Sequence, residues 1–201
     1  MKIPSKYIEN AVEQLASLPG IGKRTALRLV LQLLNRSEEE IELFAHSFME
    51  MKAHTKKCES CGNIADTEIC SICSNPSRDH ATICVVEDIR DVLAIESTES
   101  YKGIYHVLGG IISPMDGVGP SDLNISSLIS KVESEEINEI IFALSPTMEG
   151  DTTNFYLYKK LKDHEVIVTT LSRGVSVGTE LQYADEITLS RSLLQRQLFQ
   201  Q

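Results

Sequence analysis

Four of the five cysteines of this chain stand in two Cys-x2-Cys pairs. Cys58 and Cys61 form the first pair, Cys70 and Cys73 form the second, and eight residues separate the pairs. Four thiolates in two close pairs match the tetrahedral coordination of zinc, and a closed four-cysteine site leaves no position open for catalysis. A redox pair is the alternative, but a motif doubled in so short a span is specific for metal. The spacing therefore predicts one structural zinc ion per chain, in a ribbon that folds when the metal binds.

A basic helix start is the second informative feature. Gly20 and Gly22 flank one apolar residue, so backbone N–H groups of the following helix can approach a phosphate with no Cβ in the way. A helical projection places Arg24 and Arg28 beside that turn, and Lys23 adds a further charge. The opposite face is predicted to be core and comprises Ala26, Leu27, Leu29, Val30, Leu33 and Leu34. A nucleotide-binding P-loop is excluded, because its earlier glycine and the Ser or Thr after its lysine are missing.

The charge of this stretch helps to choose between two interpretations. A Gly-rich turn between two core helices can carry solvated basic residues with no ligand. The chain has 29 acidic and 19 basic residues, yet residues 20–36 contain four basic residues and no acidic one. A local patch can bind nucleic acid although the whole protein is acidic. The stretch resembles the helix-hairpin-helix motif of DNA-binding proteins, which grips the backbone without reading sequence. We therefore expect DNA contacts from Gly20, Gly22, Lys23, Arg24 and Arg28.

Membrane segments and targeting signals are not predicted. The chain has no run of 18 apolar residues, and its first ten residues are polar. We therefore expect a cytosolic protein with no membrane partner. In a reducing compartment, cysteines are metal ligands or buried thiols rather than disulfides.

Hydrophobic periodicity predicts an all-α unit followed by an α/β domain. Three helices precede the cysteines, over residues 5–17, 23–34 and 37–54, and the last begins with a capping box. Apolar runs then alternate with helices, which indicates a parallel sheet with helices on both faces and Cys84 in the core. The predicted strands are 83–86, 104–108, 139–144 and 166–170, the predicted helices are 88–95, 123–132 and 152–162, and a last amphipathic segment is 185–197.

Acidic residues follow two of the predicted strands, at the sheet edge where ligands bind. Glu87 follows the first strand, and Glu149 and Asp151 follow a later one. This part resembles the Toprim domain of topoisomerases and primases, in which a Glu and an Asp-x-Asp motif hold magnesium. Glu87 matches the first position, whereas Ser145 and Thr147 stand where the two Asp residues belong.

Two interpretations of these carboxylates stay open. Together with substrate phosphates they could hold magnesium weakly, or Glu149 and Asp151 could cap the helix that is predicted to begin at Thr152. No motif places a tyrosine for strand cleavage. Cation-dependent catalysis is therefore not expected, and magnesium remains an open question at this stage.

The order of these parts resembles the RecR family of bacterial recombination mediators along nearly the whole chain. The matching strings are residues 18–22, 70–76, 84–87 and 114–120. The resemblance implies a non-catalytic DNA-binding clamp that forms a ring-like homotetramer in the bacterial cytoplasm, associated with the nucleoid. It further implies a role in recombinational DNA repair, with RecO and RecF as partners that help load the RecA recombinase at gapped or damaged DNA.

The resemblance also implies roles for particular residues. Arg24 and Arg28 sit where the family has its DNA-contacting basic residues. The four paired cysteines match the zinc ligands, and Glu87, Glu149 and Asp151 match acidic positions that contact RecO.

The predicted organisation is α/β with an N-terminal all-α unit. Its four parts are a helix-hairpin-helix unit (1–54), a small zinc ribbon (55–80), a Rossmann-like parallel-sheet Toprim domain (81–172) and a C-terminal helical segment (173–201), which docks either on its own domain or on a neighbouring subunit. The alternative function is a magnesium-dependent nuclease or topoisomerase-like enzyme of the Toprim type. A nicking assay with magnesium would separate the two.

Overall fold

The computed structural model describes residues 3–178, 180–196 and 198. A boundary between residues 55 and 56 separates two compact units. Among the described residues, no helix is both long and apolar enough to cross a membrane.

The first unit contains three helices, as predicted. They are α1 (Lys6–Ala16), α2 (Lys23–Leu33) and α3 (Glu38–His54). The capping box of α3 is present, because the Ser37 hydroxyl accepts the Glu40 N–H and the Glu40 carboxylate accepts the Ser37 N–H. The local signals read from the sequence therefore set these helix starts.

The core of the first unit is narrower than predicted. Val12 of α1 packs with Ala26 and Val30 of α2, whereas Leu34 is 60% exposed and Leu29 is also exposed. None of the residues of α3 is buried. Its exposed apolar side chains are Leu43, Phe44, Phe48, Met49 and Met51. Periodicity identified the apolar faces of α2 and α3 correctly, but the contacts within this unit cover only the α1–α2 seam.

The second unit contains the ribbon, the sheet and its helices. The elements are β1 (Lys56–Lys57), β2 (Ile64–Ala65), β3 (Asp79–Val86), α4 (Ile89–Glu96), β4 (Gly103–Val107), α5 (Ile125–Ser134), β5 (Glu139–Phe142), α6 (Met148–Leu161), β6 (Ile167–Thr170) and α7 (Glu186–Leu194). Short 3-10 helices occur at Pro114–Asp116, Pro120–Asp122 and Leu181–Tyr183. The β1 and β2 strands pair antiparallel and form the base of the ribbon.

The larger sheet has the order β4-β3-β5-β6, and all of its strands are parallel. Neighbouring residues of β3 face opposite sides: Ile83 and Val85 pack in one core, and Cys84 and Val86 pack in the other. The α/β class and the buried position of Cys84 are thereby confirmed. Burial raises the pKa of the Cys84 thiol to about 12. The chain passes from β3 to β4 on one side and then crosses back over β3 to reach β5 on the other side. The carboxyl ends of β3 and β5 therefore flank the crevice where such sheets bind ligands.

The start of α6 differs from the prediction. The helix begins at Met148, and its N-cap is Thr147, whose hydroxyl accepts the N–H of Gly150 at 3.1 Å. Glu149 and Asp151 therefore lie in the first turn and do not cap the helix, although their charges favour its positive end. Gly150 permits this early start, because a Cβ there would lie 1.9 Å from the carbonyl oxygen of Ser145.

Candidate functional site

The basic turn forms an open, positively polarised helix end. Gly20 has φ +80°, a conformation that glycine adopts without strain. Gly22 is the N-cap of α2 and provides no side-chain acceptor, so the first N–H groups of the helix lack an intramolecular cap. Among the described residues, no atom outside the turn lies within 4 Å of the position that a Gly22 Cβ would occupy. The helix start therefore has three properties of a phosphate site: free donors, access and a favourable dipole.

The structure places Gly20, Gly22, Lys23 and Arg24 at this helix end, and Arg28 lies one turn further along α2. Lys23, Arg24 and Arg28 are exposed, and the first turn of α2 contains no acidic residue. In the part of the chain that the structure describes, no ion pair involves any of the three. Their charges thus remain available to an external anion. Phosphate contacts of this kind position a protein on nucleic acid without selecting a base sequence.

The four paired cysteines converge on one point. Their sulfur atoms all lie within 4.8 Å of one another, and all four residues are buried. Backbone N–H groups turn toward the sulfurs, since Cys70 N donates to Cys58 Sγ at 3.3 Å and Cys73 N donates to Cys70 Sγ at 3.4 Å. Such donors stabilise thiolates, and four thiolates at this spacing fit tetrahedral zinc. The ion, when bound, would cross-link the two knuckles of the ribbon.

The ribbon is attached to the edge of the sheet by specific contacts. The Val107 N–H donates to the Cys61 carbonyl at 2.7 Å. Gly62, at φ +75°, leaves no room for a side chain, because a Cβ would lie 2.8 Å from Asn124 Nδ2 and 2.9 Å from the Val107 oxygen. Lys131 of α5 donates to the Ser60 hydroxyl at 2.8 Å and to the Ser60 carbonyl at 3.1 Å. The sequence did not single out Lys131 as part of this region.

The acidic residues after β3 and β5 are largely engaged within the chain. Glu87 accepts a hydrogen bond from the Ser145 hydroxyl at 3.2 Å. Arg173 binds Asp151 through both terminal nitrogens, at 2.5 and 3.2 Å, and Arg191 approaches the same carboxylate at 3.7 Å. The hydrogen bonds from Arg173 lower the pKa of Asp151, and the charges of both arginines add to the effect.

The predicted acidic set does not form a close metal cluster. Glu149 is exposed in the first turn of α6, while Asp151 forms ion pairs with Arg173 and Arg191. Among the described residues, the cysteine cluster is the one group of three or more His, Cys, Asp or Glu side chains whose potential metal-ligand atoms lie close together. Arg173 and Arg191 were missed, although Arg173 follows β6 and so reaches the same sheet edge as the other strand-end residues.

Four family models match consecutive parts of the chain. They describe a RecR helix-hairpin-helix (residues 8–52), a RecR zinc finger domain with four cysteines (55–75), a Toprim domain (81–172) and a RecR C-terminal region (174–197). Together with the convergence of the four cysteines, the second match confirms the predicted structural zinc site.

Relatives align with the chain over nearly its whole length. The chain is 61% identical over 200 residues to the recombination protein RecR of Flavobacterium johnsoniae, which covers 100% of this chain and 97% of that protein. It is 59% identical over 196 residues to the protein of the same name from Flavobacterium psychrophilum, with coverages of 98% and 95%. The corresponding protein of Bacteroides thetaiotaomicron is 57% identical over 196 residues, with coverages of 98% and 96%.

Proposed function

Because this chain belongs to the RecR family of recombination proteins, we propose that it is a non-catalytic DNA clamp in recombinational repair. In this role it acts with RecO and RecF to load RecA at gapped or damaged DNA, in the bacterial cytoplasm and in association with the nucleoid. The observation that carries the DNA-binding part is the uncapped start of α2 beside Arg24 and Arg28. Its donors and charges suit phosphate oxygens, so binding is independent of base sequence.

A second copy of the chain is part of the proposal. Helix α3 has 17 residues and buries none of them within the unit. A helix in a soluble protein draws most of its stability from the packing of an apolar face. The exposed Leu43, Phe48 and Met49 support an interface between copies that covers this face. A ring-like tetramer would also present several weak phosphate sites at once, and avidity would then offset the acidic charge of the whole protein.

The non-catalytic character is proposed from the Toprim centre. Ser145 and Thr147 replace the two aspartates that hold magnesium in the motif, and Asp151 is bound to Arg173. Neutral hydroxyls are weak substitutes for carboxylates as ligands of a hard cation. We assign Glu87, Glu149 and Asp151 to the contact with RecO, with exposed Glu149 as the most accessible of the three.

The DNA-binding proposal is tested with a double variant, Arg24→Ala with Arg28→Ala, by fluorescence anisotropy on gapped DNA over a range of salt concentrations. Each lost phosphate contact should lower the salt slope by about 1, so the slope should fall by about 2 per chain while affinity weakens for every sequence tested. The double variant Lys159→Ala with Lys162→Ala is the matched control, because it removes the same charge from exposed positions.

Equal losses in the two double variants would show that net charge, rather than the start of α2, governs binding.

The non-catalytic part of the proposal is tested by incubating supercoiled DNA with magnesium and the purified protein. Nicking that disappears in Glu87→Gln would overturn that part and favour the Toprim-type enzyme. Unchanged DNA in both samples is the expected result.

A further inference from the structure

Lys131 is a buried cation without an acidic partner. Its residue surface is only 8% exposed, on the inner side of α5. Across residues 3–178, 180–196 and 198, the ion pairs include none with Lys131. Its ammonium group instead donates to the hydroxyl and the carbonyl of Ser60. Since burial of an ammonium group is costly unless a negative charge compensates it, a source of negative charge is required nearby.

The zinc ribbon supplies that charge. Ser60 lies between Cys58 and Cys61 in the first knuckle. Four thiolates around one Zn²⁺ carry a net charge of about −2, and here the four cysteines are buried. The hydrogen bonds of Lys131 to Ser60 hold its charge against the first knuckle, at the residue directly before the ligand Cys61.

We propose that Lys131 is the counter-cation of the zinc–thiolate centre and thereby couples zinc retention to the attachment of the ribbon on the α/β domain. It is a positioning residue, because it binds Ser60 and not the metal. Partners outside the ligand shell commonly change metal affinity by about 10-fold to 100-fold. The Val107 N–H bond to Cys61 joins the same knuckle to β4. The charge of Lys131 therefore favours zinc binding, and both stabilise the attachment of the first knuckle to the α/β domain.

The charge and the hydrogen bonds of Lys131 can be separated by substitution. Lys131→Gln keeps a donor at the end of a flexible side chain but removes the charge, Lys131→Arg keeps the charge, and Lys131→Met removes both. Lys162→Met removes the charge of an exposed lysine in the same domain and serves as the control. The zinc dissociation constant of each full-length variant is measured by competition with a chromogenic chelator, and folding is monitored by circular dichroism.

We expect Lys131→Gln and Lys131→Met to bind zinc about 10-fold to 100-fold more weakly, Lys131→Arg to lose less, and the control to match the wild type. Hydrogen exchange at the Val107 amide should accelerate in the two neutral variants, as in wild-type protein stripped of zinc. Zinc affinity of Lys131→Gln within about twofold of the wild type would overturn the proposal, since hydrogen bonding alone would then suffice. If Lys131→Met does not fold in excess zinc, the comparison of Lys131→Gln with Lys131→Arg decides in the same way.

Discussion

Acid should weaken this fold through His106. The residue is fully buried in β4, and its Nε2 lies 2.6 Å from the backbone oxygen of Asn124. Because a carbonyl only accepts, Nε2 carries the proton and Nδ1 is a lone-pair nitrogen, which has no hydrogen-bond partner in the described structure. Burial lowers the pKa of His106 to about 4, the positive charge of Lys131 adds to this, and the bond to Asn124 opposes it.

The direction of the pH effect follows from the two end states. In the unfolded chain the pKa of His106 is near 6.5, so the unfolded state takes up a proton first as the pH falls. The stability contributed by neutral His106 is therefore present above about pH 6.5 and is lost progressively down to about pH 4. The difference between the two pKa values corresponds to about 3 kcal/mol, of which about 2 kcal/mol is lost at about pH 5.

Urea unfolding of the zinc-loaded protein at several pH values between about 7.5 and 5 measures this loss. His106→Gln keeps an amide donor for Asn124 but has no titrating ring, so its stability should fall by about 2 kcal/mol less than that of the wild type over this range. Protonation of the zinc ligands affects both proteins and cancels in the comparison. His80→Gln, at an exposed position, should follow the wild type. If the free energy of unfolding changes with pH in the same way in the wild type and in His106→Gln, the conclusion that His106 is buried in its neutral form is refuted.

Two further substitutions test the contacts of the α/β domain. Gly62→Ala should lower the free energy of unfolding by about 1 to 3 kcal/mol, because the residue has a positive φ and its Cβ would approach Asn124 and Val107 too closely. Urea unfolding with bound zinc measures the loss. A change in the free energy of unfolding below about 0.5 kcal/mol would mean that Gly62 packs less tightly against Asn124 and Val107 than the contacts indicate. Arg173→Met should raise the pKa of Asp151 toward its ordinary value, as measured by NMR titration of that carboxyl. An unchanged pKa would contradict the pairing of Asp151 with Arg173.

Local signals were sufficient for most element positions. The capping box at Ser37 and the apolar run at the end of β3 were recognisable from neighbouring residues in the sequence alone. The same kind of signal was insufficient for the start of α6, which was predicted at Thr152, with Glu149 and Asp151 as possible caps, and which lies at Met148. Thr147 caps the helix because Gly150 allows its backbone to approach the Ser145 carbonyl. That approach depends on the path of the chain after β5, and no helical periodicity encodes it.

Packing partners were harder to predict than elements. The projection of α2 assigned Leu29 and Leu34 to the core, but α1 covers only the strip around Ala26 and Val30. Periodicity reports that an apolar face exists and is silent on what covers it. The contact of Lys131 with the zinc ribbon was not predicted for a related reason. A lysine on an amphipathic helix usually extends its charge to water, and its actual partner Ser60 is 71 residues away in the chain.

Whether a charged residue already has a partner within the chain determines how available it is to another molecule. In the described residues, the cations at the start of α2 have no ion-pair partner, and the helix end has no cap. Asp151, by contrast, holds Arg173 and Arg191 from the segment after β6. An external cation or a basic partner protein must therefore displace two guanidinium groups to reach Asp151, whereas a phosphate meets no internal competitor at α2. On this reasoning the proposed binding of DNA at the start of α2 requires no rearrangement of that helix end, and a partner that uses Asp151 must first move the arginines away.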